Sequence, residues 1–169
     1  MSLLRLSGIV KESVTDGPGI RMAVFTQGCP HCCLGCHNPE TNSFDGGYNC
    51  EAEEILRMYD ENPLSGITLT GGEPLCRAEQ LLPLARGVRE RGGDIFCYTG
   101  YTFEQLIPMM KDDTGLEALL RLVDILVDGP FIQAERDLTL RFRGSRNQRV
   151  LDMPRSLKAG AAVWADGYL

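Results

Sequence analysis

The chain has 169 residues, of which 43% are hydrophobic and 24% are charged, and this length and balance are typical of one globular domain. Its net charge of -6 argues against broad, nonspecific binding to nucleic acid, although a local basic patch remains compatible with it. We expect neither a signal peptide nor a membrane span, because no apolar run is long enough for a span. The seven cysteines are an odd number, and without a secretion signal they favour a reducing cytoplasm in which thiols bind metal.

The predicted elements alternate between strands and helices, without repeats or linkers, and we expect a single domain over residues 1–169. Short apolar runs predict strands at residues 20–26, 67–70, 95–98, 124–127 and 148–151. Helical periodicity predicts helices at residues 51–61 and 79–91. Two more helices are predicted to begin at residues 102–105 and 114–117, since both stretches have the pattern of a capping box.

This alternation predicts an α/β fold with a parallel sheet. Four glycine-containing or polar turns follow the predicted strands: the cysteine-rich turn, Gly71-Gly72, Thr99-Gly100 and Asp128-Gly129. In parallel α/β folds, sites form on the loops after the carboxyl ends of the strands, so we expect these turns to converge on one edge of the sheet. The chain is too short for eight β/α units, and we therefore predict a partial, open parallel β/α barrel.

Four thiols lie in one short turn after the first predicted strand. Cys29, Cys33 and Cys36 have the spacing Cys-x3-Cys-x2-Cys, which suits three irons of a cubane iron–sulfur cluster and leaves the fourth iron open to a substrate. The alternatives are a zinc site that uses all four thiols, a reactive redox pair, and the triplet in which Cys32 replaces Cys33. Cys50, Cys76 and Cys97 are expected to be small apolar residues, and His31 and His37 are expected to be exposed or to support the ligands.

Three further stretches carry possible chemistry. Gly71-Gly72-Glu73 either lets the backbone approach the ammonium and carboxylate of an amino acid or is a plain turn. Asp128 either accepts hydrogen bonds from a ribose or caps a turn. Residues 16–21 (Asp-Gly-Pro-Gly-Ile-Arg) form either a rim loop that presents Asp16 and Arg21 to a partner's backbone or only a tight turn. The five arginines between residues 136 and 149 predict a solvated loop or a docking surface for an acidic partner.

The cysteine triplet after one strand and Gly-Gly-Glu-Pro after another resemble the radical S-adenosylmethionine superfamily. The Asp-Gly-Pro-Gly-Ile-Arg stretch before the cysteines narrows this resemblance to the activating proteins of glycyl-radical enzymes. The chain resembles still more closely those that act on anaerobic ribonucleoside-triphosphate reductase. Further resemblance lies in residues 27–31, 36–41, 98–101, 126–131 and 142–149, so it covers most of the chain.

The resemblance implies that Cys29, Cys33 and Cys36 ligate one [4Fe-4S] cluster whose open iron chelates S-adenosylmethionine. Its methionine part would lie at Gly71, Gly72 and Glu73, with Thr99 nearby, its adenine at the backbone of Gly35 and its ribose at Asp128. An electron from a donor such as flavodoxin would cleave the sulfonium bond and give methionine and a 5′-deoxyadenosyl radical. That radical would take a hydrogen atom from a glycine of the reductase large subunit, which Asp16, Gly17, Gly19 and Arg21 would present.

Two features depart from relatives in the wider group. Gly35 stands where many have an aromatic residue before the last cysteine, so only backbone contacts with adenine are available there. Pro130 replaces a lysine found near the position of Asp128 in larger activating enzymes, which weakens the assignment of ribose contacts to that aspartate. Two other hypotheses stay open: a small radical enzyme that acts on a free metabolite, such as a deazapurine synthase, and a noncatalytic zinc or iron–sulfur module.

Overall fold

The fold is a seven-stranded open sheet, seen in a computed structural model that describes residues 3–168. The strands in chain order are β1 (Leu3–Ser13), β2 (Arg21–Thr26), β3 (Tyr48–Glu51), β4 (Gly66–Gly71), β5 (Asp94–Tyr98), β6 (Ile125–Asp128) and β7 (Arg149–Asp152). Their order across the sheet is β3-β1-β2-β4-β5-β6-β7. The predicted open α/β fold is therefore confirmed.

The four central strands β2, β4, β5 and β6 run parallel, and the apolar runs predicted all four. The fifth predicted strand, at residues 148–151, is β7, which is antiparallel to β6. The outer strands are antiparallel: β1 pairs with β2 and β3, and β7 pairs with β6. The sequence patterns predicted neither β1 nor β3. β1 has irregular alternation and two register shifts against β2, and β3 is short with two exposed residues, so neither has the pattern of a half-buried strand.

Five helices connect and flank the strands: α1 (Ala52–Tyr59), α2 (Ala78–Glu90), α3 (Phe103–Asp112), α4 (Thr114–Leu122) and α5 (Met153–Ala159). The predicted capping box at Thr102 and Gln105 forms at the start of α3. The cap predicted for α4 is wrong by one residue. Asp113, rather than Thr114, accepts the bond from the amide of Leu116, because a carboxylate one residue earlier reaches that amide.

The sheet is buried on both faces around its centre. The larger core lies between the sheet and helices α1, α2 and α4, and it contains Ile95 and Cys97 of β5. The alternate residue Phe96 belongs to a smaller cluster on the opposite face with Val127, Val150 and Ala165. Alternation in β5 thus separates two apolar layers, and the second layer marks the face away from the helices. Among residues 3–168, no helix is long and apolar enough to cross a membrane.

Candidate functional site

The cysteine loop starts where β2 ends and is held by the segment that returns from it. The amide of Gly28 donates to the carbonyl of Thr41 (2.7 Å) and the amide of Cys29 donates to that of Asn42 (3.0 Å). The side-chain amide of Gln27, which is only 2% exposed, donates to the carbonyls of Glu40 and Ser43. These bonds fix the base of the loop, so the position of the first thiol follows from the end of the strand.

The four thiols of the loop fall into two environments. Cys29, Cys33 and Cys36 are half-buried, and the amide of Cys36 donates to the carbonyl of Cys33 (3.2 Å) in a tight turn. Burial, together with the nearby carboxylate of Glu73 and the other two thiols, raises the pKa of Cys29 to about 11. Cys32 is exposed, and its backbone has a φ of 51°, in the left-handed region.

The three half-buried thiols of the cysteine loop are suitable ligands for an iron–sulfur cluster. Within the described part of the chain, no three Cys, His, Asp or Glu side chains converge closely enough to hold one metal ion. A cubane cluster does not require such convergence, because each thiolate binds a different iron. Three half-buried thiols on one loop meet that requirement, and their deprotonation would accompany cluster binding.

The loop after β4 is bonded directly to the cysteine loop. The amide of Gly72 donates to the carbonyl of Thr26 and the amide of Glu73 donates to that of Gly28, both at 2.8 Å. A Cβ at Gly72 would lie 2.3 Å from the carbonyl oxygen of Gly28, and one at Gly71, whose φ is +104°, would lie 2.4 Å from the amide nitrogen of Thr26. The two glycines thus permit the close approach of the protein's own loops.

Glu73 joins three of the loops through its carboxylate, which is fully buried. Its oxygens accept from the hydroxyl of Thr99 (2.9 Å to each), the amide of Gly100 (2.8 Å) and the amide of Leu75 (3.1 Å). Nε2 of His31 lies 2.6 Å from the same carboxylate. Glu73 and Thr99, which were both predicted to lie near the cofactor, therefore lie side by side and bond each other.

His31 was expected either to be exposed or to support the ligands, and the structure shows it mostly buried and bonded to Glu73. It lies two residues after Cys29, bonds Glu73, and packs its ring edge-on against Tyr101 with centroids 4.5 Å apart. Burial and the nearby Cys76 raise the pKa of Tyr101 to about 12. The partners of His31, Glu73 and Tyr101, follow β4 and β5, far along the chain. In the sequence, only the position of His31 next to the cysteines indicated a supporting role.

Asp128 is buried at the end of β6, and its carboxylate already has internal partners. It accepts from the amide of Phe103 at 2.8 Å and from both Nε and Nη2 of Arg149, at 3.0 and 2.5 Å. The carboxylate is 1% exposed and bound on both oxygens. The structure therefore places Asp128 as the link between α3 and β7 and gives no support for a contact with ribose.

The loop after β6 reaches the cysteine loop through side chains. Gly35, with a φ of +75°, lies under the amide of Gln133, since a Cβ there would come within 3.0 Å of that group. Phe131 packs edge-on against His37 with centroids 4.9 Å apart. A mainly apolar cavity of about 510 Å³ lies beside Gly35 and is lined by Leu34, Phe131, Ile132, Gln133 and Ala134.

The motif at residues 142–149 supports this loop. The side chains of Asn147 and Gln148 donate to the carbonyls of Pro130 and Gly129, at 2.7 and 3.1 Å. The same Gln148 accepts from the amides of Gly144 and Ser145. These bonds fix the backbone that follows Asp128, so the motif holds the end of β6 in place.

The loop at residues 16–20 lies at the end of β2 opposite the cysteine loop. It precedes β2, so it begins roughly 17 Å along that strand from Thr26, at about 3.3 Å per residue. From there it reaches over the face opposite the helices, where the carbonyl of Asp16 accepts from the hydroxyl of Thr68 (2.6 Å). Gly17 is buried, whereas Gly19 and Ile20 are exposed.

Arg21 is fully buried and does not present its side chain to a partner. Its guanidinium donates to the hydroxyl of Thr68, the carbonyls of Pro18 and Ile67, and the carboxylate of Asp94 at 2.6 Å. It also lies 5.6 Å from the centroid of the Phe96 ring. A buried charge requires this full set of partners, so Arg21 holds the loop to the sheet.

Comparison with known proteins agrees with this arrangement. Residues 15–151 match the family described as "4Fe-4S single cluster domain". The chain is 35% identical over 144 residues to the anaerobic ribonucleoside-triphosphate reductase-activating protein of Haemophilus influenzae, covering 80% of this chain and 89% of that one. It is 32% identical over 146 residues to the protein of that name from Escherichia coli K12, covering 81% and 91%. For the one from Enterobacteria phage T4 the identity is 35% over 144 residues, covering 80% and 85%.

Among solved structures, the fold is similar to the crystal structure of QueE from Escherichia coli, with a TM-score of 0.47 and 18% identity over 59% of this chain and 53% of that one. The family match and the cysteine loop define an iron–sulfur protein with a single cluster. The chain belongs to the family of anaerobic ribonucleoside-triphosphate reductase-activating proteins.

Proposed function

We propose that this protein is a radical S-adenosylmethionine oxidoreductase that generates a glycyl radical on the large subunit of anaerobic ribonucleoside-triphosphate reductase. Cys29, Cys33 and Cys36 would hold a [4Fe-4S] cluster, which would provide the one electron needed to cleave S-adenosylmethionine into methionine and a 5′-deoxyadenosyl radical. That radical would take a hydrogen atom from the glycine. The electron comes from a cytoplasmic donor protein such as flavodoxin. Residues 1–169 act as one domain.

In this proposal Cys29, Cys33 and Cys36 hold the cluster, and Cys32 does not. The different exposure of the thiols supports the assignment, since the three proposed ligands are half-buried and Cys32 is exposed. The methionine part of S-adenosylmethionine lies against the backbone at Gly71 and Gly72. Glu73 and Thr99 keep that backbone in place through the hydrogen bonds between them.

The adenine lies beside Gly35, against the mainly apolar surface cavity that Leu34 and Phe131 line. Asp128 fixes α3 to β7 and has no proposed contact with the cofactor. The glycine-bearing segment of the reductase approaches across the face opposite the helices, where Asp16, Gly17 and Gly19 form the loop that Arg21 anchors. The exposed side chains of Val14 and Ile20 flank this loop and give it an apolar border.

The observation that carries the proposal is the direct bonding of the loops after three parallel strands. The amide of Glu73 donates to Gly28 in the cysteine loop, and its carboxylate accepts from Gly100 after β5. A cluster on the loop after β2 and a cofactor on the loop after β4 would therefore be held at a fixed distance, as electron transfer between them requires.

The test is electron paramagnetic resonance of the reductase after anaerobic incubation with the reconstituted protein, S-adenosylmethionine and a reductant. We expect a glycyl doublet that depends on all three, and none with a Cys33→Ala variant. 5′-Deoxyadenosine is measured in the same samples. Its formation without a doublet would indicate a different radical substrate, and its absence from the wild-type reaction would leave only a noncatalytic iron–sulfur role.

A further inference from the structure

A basic loop lies beside the cysteine loop in an otherwise acidic protein. Residues 135–146 contain four arginines against one glutamate and one aspartate, which gives this segment a charge of +2 in a chain of net charge -6. A local field of the opposite sign attracts acidic partners and raises their association rate.

Backbone pairing gives the basic loop a defined shape. Arg136 and Ser145 form an antiparallel bridge, the amide of Arg146 donates to the carbonyl of Glu135 (2.9 Å), and that of Asp137 donates to Gly144 (3.2 Å). Leu138 lies beyond this bridge and is 80% exposed. The loop is thus a short hairpin whose end presents an apolar side chain among charges.

The arginines of the hairpin have charge available for a partner. Neither Arg136 nor Arg146 has an ion pair or a side-chain hydrogen bond within residues 3–168, and both are exposed. Arg141 is also exposed and is held by ring contacts, with its guanidinium 5.1 Å from the centroids of both Phe142 and Tyr168. Stacking leaves the guanidinium edge free to bind carboxylates.

The hairpin adjoins the residues proposed to hold the cluster. The short turn Gln133–Glu135 leads directly into Arg136, and Gln133 packs over Gly35, next to the ligand Cys36. Leu34 on the cysteine loop is 78% exposed and lines the same cavity as Gln133. A protein seated on the hairpin would therefore also cover the cysteine loop.

We propose that Arg136, Arg141 and Arg146, with Leu138 and Leu34, form the docking surface of an acidic one-electron donor protein. The inference rests on the proposed function and names the site of one of its partners. The reduced donor loses one electron and the cluster of this protein gains it. A donor must dock close to the cysteine loop, and the loop proposed for the reductase begins at the opposite end of β2. Arg141 itself lies beside the face that the reductase segment would cross, because Phe142 packs against Phe96 there.

The experiment compares two sources of electrons for S-adenosylmethionine cleavage. The reconstituted protein receives electrons either from reduced flavodoxin, an acidic flavin protein used here as the probe, or from dithionite. We expect an Arg136→Glu/Arg141→Glu/Arg146→Glu variant to lower the second-order rate constant with flavodoxin by about tenfold or more at low salt, with little change for dithionite. The difference should shrink as salt screens the charges.

Replacing Arg141 also removes its contacts with the rings of Phe142 and Tyr168 and could destabilise the protein. A second variant therefore leaves Arg141 in place. Arg136→Gln/Arg146→Gln removes only exposed charges and should give a smaller loss of the same kind. The matched control is Arg57→Glu/Arg86→Glu, which reverses two exposed arginines on helices α1 and α2 and should leave both rates unchanged.

Three results would overturn the docking proposal. One is an unchanged rate with flavodoxin in both hairpin variants. The second is an equal loss with the helix control. The third is normal 5′-deoxyadenosine formation with either reductant but a lost glycyl radical, which would assign the hairpin to the reductase. A wild-type protein that makes no 5′-deoxyadenosine with dithionite would instead refute the proposed function itself.

Discussion

Removing the carboxylate of Glu73 should loosen the loops after β2, β4 and β5 together. The substitution Glu73→Ala removes the carboxylate that accepts from the Gly100 amide and pairs with the His31 ring. The same carboxylate is the partner of the Thr99 hydroxyl and the Leu75 amide. A buried donor left without an acceptor costs about 1–3 kcal/mol. Because water entering the cavity restores part of this, we expect a loss of about 3–5 kcal/mol in the free energy of unfolding.

Glu73→Gln keeps the shape of the side chain but replaces one of its two acceptor oxygens by an NH₂ group. Its amide oxygen can take the place of Oε1, which faces His31, Thr99 and Gly100. Its NH₂ group then faces the amide of Leu75, so one donor stays unsatisfied. We expect a loss of about 1–3 kcal/mol, smaller than for alanine.

Equilibrium urea unfolding of the cluster-free protein, followed by circular dichroism, measures these losses. The control is Glu90→Gln, at an exposed position in the last turn of α2, where a change within about 0.5 kcal/mol is expected. If Glu73→Ala and Glu73→Gln were both as stable as this control, the carboxylate would not be holding the loops and the reasoning would fail.

Gly72→Ala should destabilise the protein by about 1–3 kcal/mol, because its Cβ would lie 2.3 Å from the carbonyl oxygen of Gly28. Gly8→Ala, whose Cβ meets nothing within 4 Å, should be neutral, and equal unfolding midpoints in urea would contradict the assigned packing. Cys33→Ala should abolish cluster binding, measured as iron and sulfide content after anaerobic reconstitution, while Cys32→Ala should retain it because that thiol is exposed. The opposite pattern would reverse the choice of ligand.

The sequence predicted the four central strands and the outer strand β7, but it did not predict β1 and β3 at the other border of the sheet. Strands β2, β4, β5 and β6 are apolar because helices or the second apolar layer cover them, and that burial leaves a clear pattern. β1 is paired on one side along most of its length, and its half beyond Leu6 has no β3 partner. An edge strand of this kind keeps polar and charged residues, so local pattern does not identify it.

Within the site, the turns were predicted and the partners of the charged residues were not. The cysteine loop, Gly71-Gly72 and Thr99-Gly100 do lie at one edge, because parallel strands bring their carboxyl ends together. Asp128 and Arg21 were predicted to face ligands, yet both are buried in internal pairs. Their charged partners, Arg149 and Asp94, are 21 and 73 residues away in the chain, beyond any local pattern.

The long-range hydrogen bonds of Glu73 indicate that positions distant from the cysteines in the sequence should affect the cluster. Thr99 is remote from the cysteines in sequence, but its hydroxyl bonds Glu73, whose carboxylate bonds His31 two residues after Cys29. The amide of Glu73 also donates to Gly28, immediately before that cysteine. Two independent connections therefore run from β5 to the cysteine loop through one residue. A substitution at Thr99 should act on the cysteine loop by moving Glu73. We therefore expect it to lower cluster retention as substitutions at Glu73 do, although Thr99 is far from the thiols in the sequence.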